Sequence, residues 1–135
     1  MLKDEARVIS RPAGFELAAI GGELTKYRYR FNGEIQLQDG MQHILEQAGY
    51  QVLREHVLGA RRQRSDLWID GLVVEVKVDG SLAAALRQVS DYMKVDKVRG
   101  VILASTERWA TTTLQQLPEW GGKPFIMIQV RRQCL

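Results

Sequence analysis

The pattern of apolar and polar positions becomes regular from Gln38 onward. Met41, Ile44, Leu45 and Ala48 recur at helical spacing and Gly49 supplies a stop, so a helix is predicted up to that glycine. YQVLREHVL, from Tyr50, alternates apolar and polar residues as a strand does. After a basic loop, DLWI and LVVEVKV read as two further strands. They are joined by Asp70-Gly71, a dipeptide suited to a tight hairpin turn that needs positive φ. Ser81 is placed to cap a helix, SLAAALRQVSDYMKV. GVILAS is a short apolar run bounded by turn signals, which reads as a buried strand. Residues 106–117 read as helical up to Pro118, and PFIMIQV is the last strand. The predicted order is helix, three strands, helix, strand, helix, strand: an α/β domain with a mixed sheet covered by helices.

Residues 1–33 fit this scheme less well. The glycines of AGFELAAIGG suggest turns, and TKYRYRF alternates as an exposed or edge strand would. They are set apart as an N-terminal extension that packs on the domain at 34–135 or on a second subunit. The exposed-strand character of TKYRYRF makes a homodimer the expected assembly.

Composition narrows the class without identifying a chemistry. The length of 135 residues suits one domain, and the apolar (45%) and charged (26%) fractions are those of an ordinary globular protein. No apolar run approaches the roughly 18 residues of a membrane span. MLKDEARVIS lacks a signal-peptide core, and Cys134 is the single cysteine, so no intrachain disulfide can form. A reducing, cytoplasmic setting is expected, with no membrane partner and no nucleotide cofactor. The net charge of +3 is modest, but Arg54, Arg61, Arg62 and Arg64 fall within eleven positions, and Arg131 and Arg132 adjoin near the C-terminus. Clustered guanidiniums suit DNA backbone phosphates; a solvated basic loop is the competing reading.

The hairpin carries the candidate chemistry. A two-residue turn at Asp70-Gly71 sets Ile69 against Leu72, Trp68 against Val73, Leu67 against Val74, and Asp66 against Glu75. Opposed residues share a face, and Lys77 joins them two residues on, while Val74, Val76 and Val78 face the core. Two opposed carboxylates repel unless something offsets them. Lys77 offsets part of this; a divalent cation does so more completely, and oxygen ligands with water suit Mg²⁺ or Mn²⁺. A salt-bridged, half-exposed sheet is the alternative. Gln88 and Tyr92, four apart on the following helix, share a face that could cross over these strands.

Together these residues resemble the PD-(D/E)XK nuclease superfamily. The signature stands here as Asp66, eight intervening residues, then Glu75-Val76-Lys77, and Gln88-Val-Ser-Asp-Tyr92 is similar to the QxxxY motif of its RecB-like branch. The resemblance covers residues 34–130. It implies a restriction-endonuclease-like core and Mg²⁺-dependent hydrolysis of DNA, with a structure- or end-directed role in recombination, repair or phage DNA processing. It further implies Asp66 and Glu75 as metal ligands, Lys77 as the catalytic lysine, and Gln88 and Tyr92 as positioning groups. The superfamily often has a first-helix glutamate facing the metal. That position falls near Gln38 here, with Asp39 and Glu34 close by, and Glu55 is favoured instead as the third carboxylate. His43 and His56 lack the context of a family histidine. A non-catalytic nucleic-acid-binding module on the same fold, or a subunit-assembly protein, are the competing functions.

Overall fold

Asp70 and Gly71 both adopt positive φ, 47° and 90°, and form the hairpin turn that their residue types favour. The computed structural model describes residues 12–59, 62–111 and 119–133. Its elements in chain order are α1 (Ala13–Thr25), β1 (Arg28–Tyr29), α2 (Glu34–Gln47), β2 (Leu53–Leu58), β3 (Gln63–Ile69), β4 (Leu72–Lys77), α3 (Leu82–Met93), β5 (Gly100–Ser105), a 3₁₀ turn (Arg108–Thr111), β6 (Glu119–Trp120), β7 (Lys123–Gln129) and β8 (Arg131–Arg132).

The chain is an α/β protein with a mixed six-stranded sheet in the order β2-β3-β4-β5-β7-β6. β2, β3 and β4 form an antiparallel meander, β4, β5 and β7 run parallel, and β6 is an antiparallel edge. Two apolar layers cover the sheet. On one face Leu17, Ile20 and Leu24 of α1 and Leu37, Met41 and Leu45 of α2 pack on Leu67, Val74, Val76 and Ile102. On the other, Ala85, Val89 and Tyr92 of α3 pack on Val73, Val101, Leu103 and Phe125. The central strand β4 is therefore buried on both sides, as parallel sheets covered by helices are. Ser81 Oγ accepts the Ala84 N–H and caps α3 as predicted. Among the described residues, no helix is long and apolar enough to cross a membrane.

One expectation is corrected: residues 13–25 are helical rather than a series of turns, and this helix packs on the domain, sharing its core with the sheet. Gly21 serves a close approach: a Cβ there would lie 2.8 Å from Ile126 Cδ1 of β7. Gly21→Val is expected to push α1 off the sheet and cost about 1–3 kcal/mol of stability, measurable by chemical denaturation. Within TKYRYRF, β1 pairs in parallel with β8 of the same chain, which occupies one of its two edges. Of the helix expected over 106–117, the described part holds only the 3₁₀ turn Arg108–Thr111; residues 112–118 lie outside the described residues.

Candidate active site

The β3–β4 ladder runs through Ile69–Leu72, Trp68–Val73 and Leu67–Val74 and stops there. One residue further, the Asp66 carboxylate takes the place of a backbone partner: its Oδ2 accepts the Val76 N–H at 2.8 Å. On the other side, Glu55 lies across from Asp66 between the pairs Arg54–Leu67 and His56–Ser65, but its left-handed backbone (φ 54°) leaves that position unbridged. Asp66 thus sits where pairing lapses on both flanks, its side chain on the same face as Glu75.

Glu75 is 1% exposed, a charge-bearing side chain inside the α3 layer. Its Oε1 lies 2.7 Å from Tyr92 Oη, and its Oε2 lies 3.4 Å from Lys77 Nζ. Tyr92 Oη is also 2.5 Å from the Arg64 carbonyl oxygen and accepts from Gln88 Nε2 at 3.3 Å. A phenol has one proton to give. Both short contacts are satisfied when a protonated Glu75 donates to Tyr92 Oη while Tyr92 donates to Arg64. The electrostatics agree. Burial, and then the Asp66 charge, push the Glu75 carboxyl up to about 8 despite the opposing pull of Tyr92 and Lys77. Burial likewise lifts Asp66 to about 6; the Val76 N–H and Lys77 oppose this, and Glu34 and Glu55 add to it. The Tyr92 hydroxyl is driven well above its ordinary range by the same burial and by Glu75. Tyr92→Phe would leave the Arg64 carbonyl and Glu75 short of a partner. A loss of about 1–3 kcal/mol is expected, read as a lower denaturation midpoint.

In comparisons with protein-family models, curated proteins and solved structures, nothing matches this chain. The site must be judged on its own geometry.

The structure brings Asp66, Glu75, Lys77, Gln88 and Tyr92 into one cluster, but it directs other candidates elsewhere. Arg54 does not reach out from the basic segment. Its guanidinium donates to Gln38 (3.1 Å), Asp39 (2.8 Å) and Gln42 (3.0 Å) on α2. Gln38 and Asp39 are thereby engaged by Arg54. Arg64 is exposed and paired with Glu55 at 3.9 Å, and Arg62 is exposed in the turn before β3. Arg61 lies outside the described residues. Glu55 is close enough to raise Asp66, yet its side chain is half exposed and faces Arg64.

The residue undervalued from sequence is Glu34, the first residue of α2. Its carboxylate accepts the Val78 N–H at 3.4 Å, just past the end of β4. It shares a cavity of about 200 Å³ with Lys77, Asp79, Ser81 and Gln88. Counting forward from Gly33, where the helix begins, singles it out, whereas counting back from Gly49 points one turn further along, to Gln38.

Among the described residues, no group of three or more His, Cys, Asp or Glu side chains is gathered as a ready metal cage. The donor set nevertheless fits Mg²⁺, which keeps several waters and takes only one or two carboxylates together with substrate phosphate. Among the described residues Asp66 Oδ1 has no partner, and the burial and Asp66 charge that raise Glu75 to about 8 are what a cation would offset.

Proposed function

We propose that this chain is a metal-dependent deoxyribonuclease that hydrolyses DNA phosphodiester bonds at the Asp66–Glu75–Lys77 face. One observation carries this reading: two carboxyl groups lie together in a covered sheet face, both raised, with an ammonium 3.4 Å from the buried one. Such an arrangement costs stability and is a poor structural device, whereas it suits a divalent cation and a phosphate. The run α2, β2–β4, α3, β5 also follows the order of a restriction-endonuclease-like core.

In this reading Asp66 and Glu75 would hold Mg²⁺ or Mn²⁺, and Glu34, whose charge also acts on Asp66, would be drawn in as a third ligand in the place earlier given to Glu55. The bound cation supplies an activated water and stabilises charge on the phosphate. Lys77, a quarter exposed beside Glu75, holds the phosphate or the attacking water in line. Tyr92 and Gln88 fix the Glu75 carboxylate through Oε1. The absence of a third gathered carboxylate among the described residues favours one second reading, a nucleic-acid-binding module without catalysis.

The direct test is plasmid and linear DNA incubated with Mg²⁺, Mn²⁺ or EDTA. Metal-dependent cleavage that disappears in Glu75→Gln supports the nuclease; cleavage surviving both Glu75→Gln and Lys77→Ala overturns it. Duplex binding without Mn²⁺ uptake or cleavage establishes the second reading. Within the nuclease reading, Glu34→Gln is expected to weaken Mn²⁺ affinity about 10- to 100-fold, and Glu55→Gln by less than about threefold. Isothermal calorimetry distinguishes the two, and the reverse ranking would restore Glu55 as the third ligand.

A further inference from the structure

Arg28 and Arg131, far apart in sequence, are register partners in the β1–β8 ribbon, and Tyr29 is paired with Arg132. Partners in register share a face and successive residues alternate, so the ribbon is two-sided. Its inward side carries Tyr29 and Phe31, both buried, and the Arg132 guanidinium, which lies 3.9 Å over the Phe31 ring and donates to the Phe31 carbonyl. Gln133 N–H adds a bond to Tyr29 O at 2.7 Å. Its outward side carries Arg28, Arg30 and Arg131, all exposed. Among the described residues none of these three makes an ion pair. Like charges side by side on a sheet are destabilising unless offset, so this face is complementary to a polyanion.

The ribbon stands at the same end of the sheet as the candidate active site. Lys77 is in register with Ser105, and Ser105 with Gln129. Val130 N–H bonds to Ser105 O at 2.9 Å, and Arg131 follows, two residues or roughly 7 Å of strand past that row. From the other side, only Phe31-Asn32-Gly33 separates Arg30 from Glu34. By contrast Arg54 is engaged by α2 and Arg64 by Glu55.

We propose that Arg28, Arg30 and Arg131 bind the sugar–phosphate backbone of duplex DNA lying across the Asp66–Glu75–Lys77 site. This rests on the nuclease reading of that site and adds where its substrate is held. The expected behaviour is electrostatic and independent of base sequence.

The test is fluorescence anisotropy with a labelled DNA duplex in EDTA over a NaCl series, beside Mn²⁺ calorimetry on the same proteins. The triple variant Arg28→Ala/Arg30→Ala/Arg131→Ala is expected to bind the duplex about 10- to 100-fold more weakly. The slope of log K against log salt should fall by about 2–3, one counterion release per lost phosphate contact. Arg28→Lys/Arg30→Lys/Arg131→Lys should keep most of the slope. Unchanged affinity and slope in the alanine variant, with wild-type Mn²⁺ uptake and cleavage intact, overturns the ribbon and leaves the site reading standing. Ribbon-dependent binding by a wild-type chain that takes up no Mn²⁺ and cleaves nothing supports the ribbon and overturns the site reading. A wild-type chain that does not bind the duplex overturns both.

Discussion

Glu75→Gln is expected to lower DNA cleavage by about 10³-fold or more while making the metal-free protein more stable at alkaline pH. The two effects have one cause. In the folded protein the Glu75 carboxyl titrates near 8, raised first by burial and then by Asp66; in the unfolded chain it returns to the ordinary value near 4.5. A raised folded value means that the native state holds the proton more tightly. The stability this contributes is complete below the ordinary value and is lost as pH climbs through about 8. In EDTA, wild-type stability should therefore decline between pH 5 and 9 by on the order of 3–5 kcal/mol. Asp66, raised to about 6, adds a smaller decline in the same direction at lower pH. Glutamine does not ionise, and its amide can donate to Tyr92 Oη as the protonated acid does, so the variant should lack most of this slope. Mn²⁺ at pH 8 should restore wild-type stability and leave the variant little changed. Superimposable profiles of Tm against pH for the two proteins in EDTA would overturn the prediction.

The elements legible from sequence were those whose local chemistry and long-range packing agree. Asp70-Gly71 has the residues for two positive φ values, and the strands on either side close onto each other through Leu67–Val74, so turn and register were both readable. GVILAS coincides with β5, fully buried at each position. The pairing of Asp66 with Glu75 was right as to face. The sequence could not reveal that the Asp66 side chain takes the Val76 N–H and ends the ladder, because that bond competes with backbone pairing only once the strands have met.

Other features depended on tertiary contacts with no local signature. Leu17, Ile20 and Leu24 have helical spacing, but three glycines lower helix propensity enough to mask it. Gly21 alone among them packs against β7, where a side chain would not fit without a shift. Spacing in LVVEVKV left open a half-exposed, salt-bridged face, whereas α3 covers that face and leaves Glu75 buried. Arg54 looked like part of a basic cluster, yet Gln38, Asp39 and Gln42 converge on it from a helix more than ten residues away. The ribbon of Arg28, Arg30 and Arg131 arises only when β1 and β8 meet.

Lys77→Ala should separate chemistry from folding more cleanly than any other substitution at this site. Its ammonium lies 3.4 Å from Glu75 and its side chain is a quarter exposed, so on the nuclease reading it is held by the buried carboxyl and remains open to a phosphate. On that reading its removal deletes a cation beside the phosphate, for which a loss of about 10³-fold in cleavage is expected. Mn²⁺ uptake should persist, because the carboxyl oxygens of Asp66 and Glu75 remain and a repelling cation has gone. The same charge pulls both carboxyl groups downward, so its loss should move the acid limb of Mn²⁺ binding to higher pH. Lys77→Arg tests geometry against charge: a planar guanidinium keeps the electrostatics but not the compact reach of an ammonium, and partial rescue is expected. If Lys77→Ala cleaves within about tenfold of wild type, the lysine serves only to balance Glu75. The phosphate would then have to be held by the arginines of the ribbon.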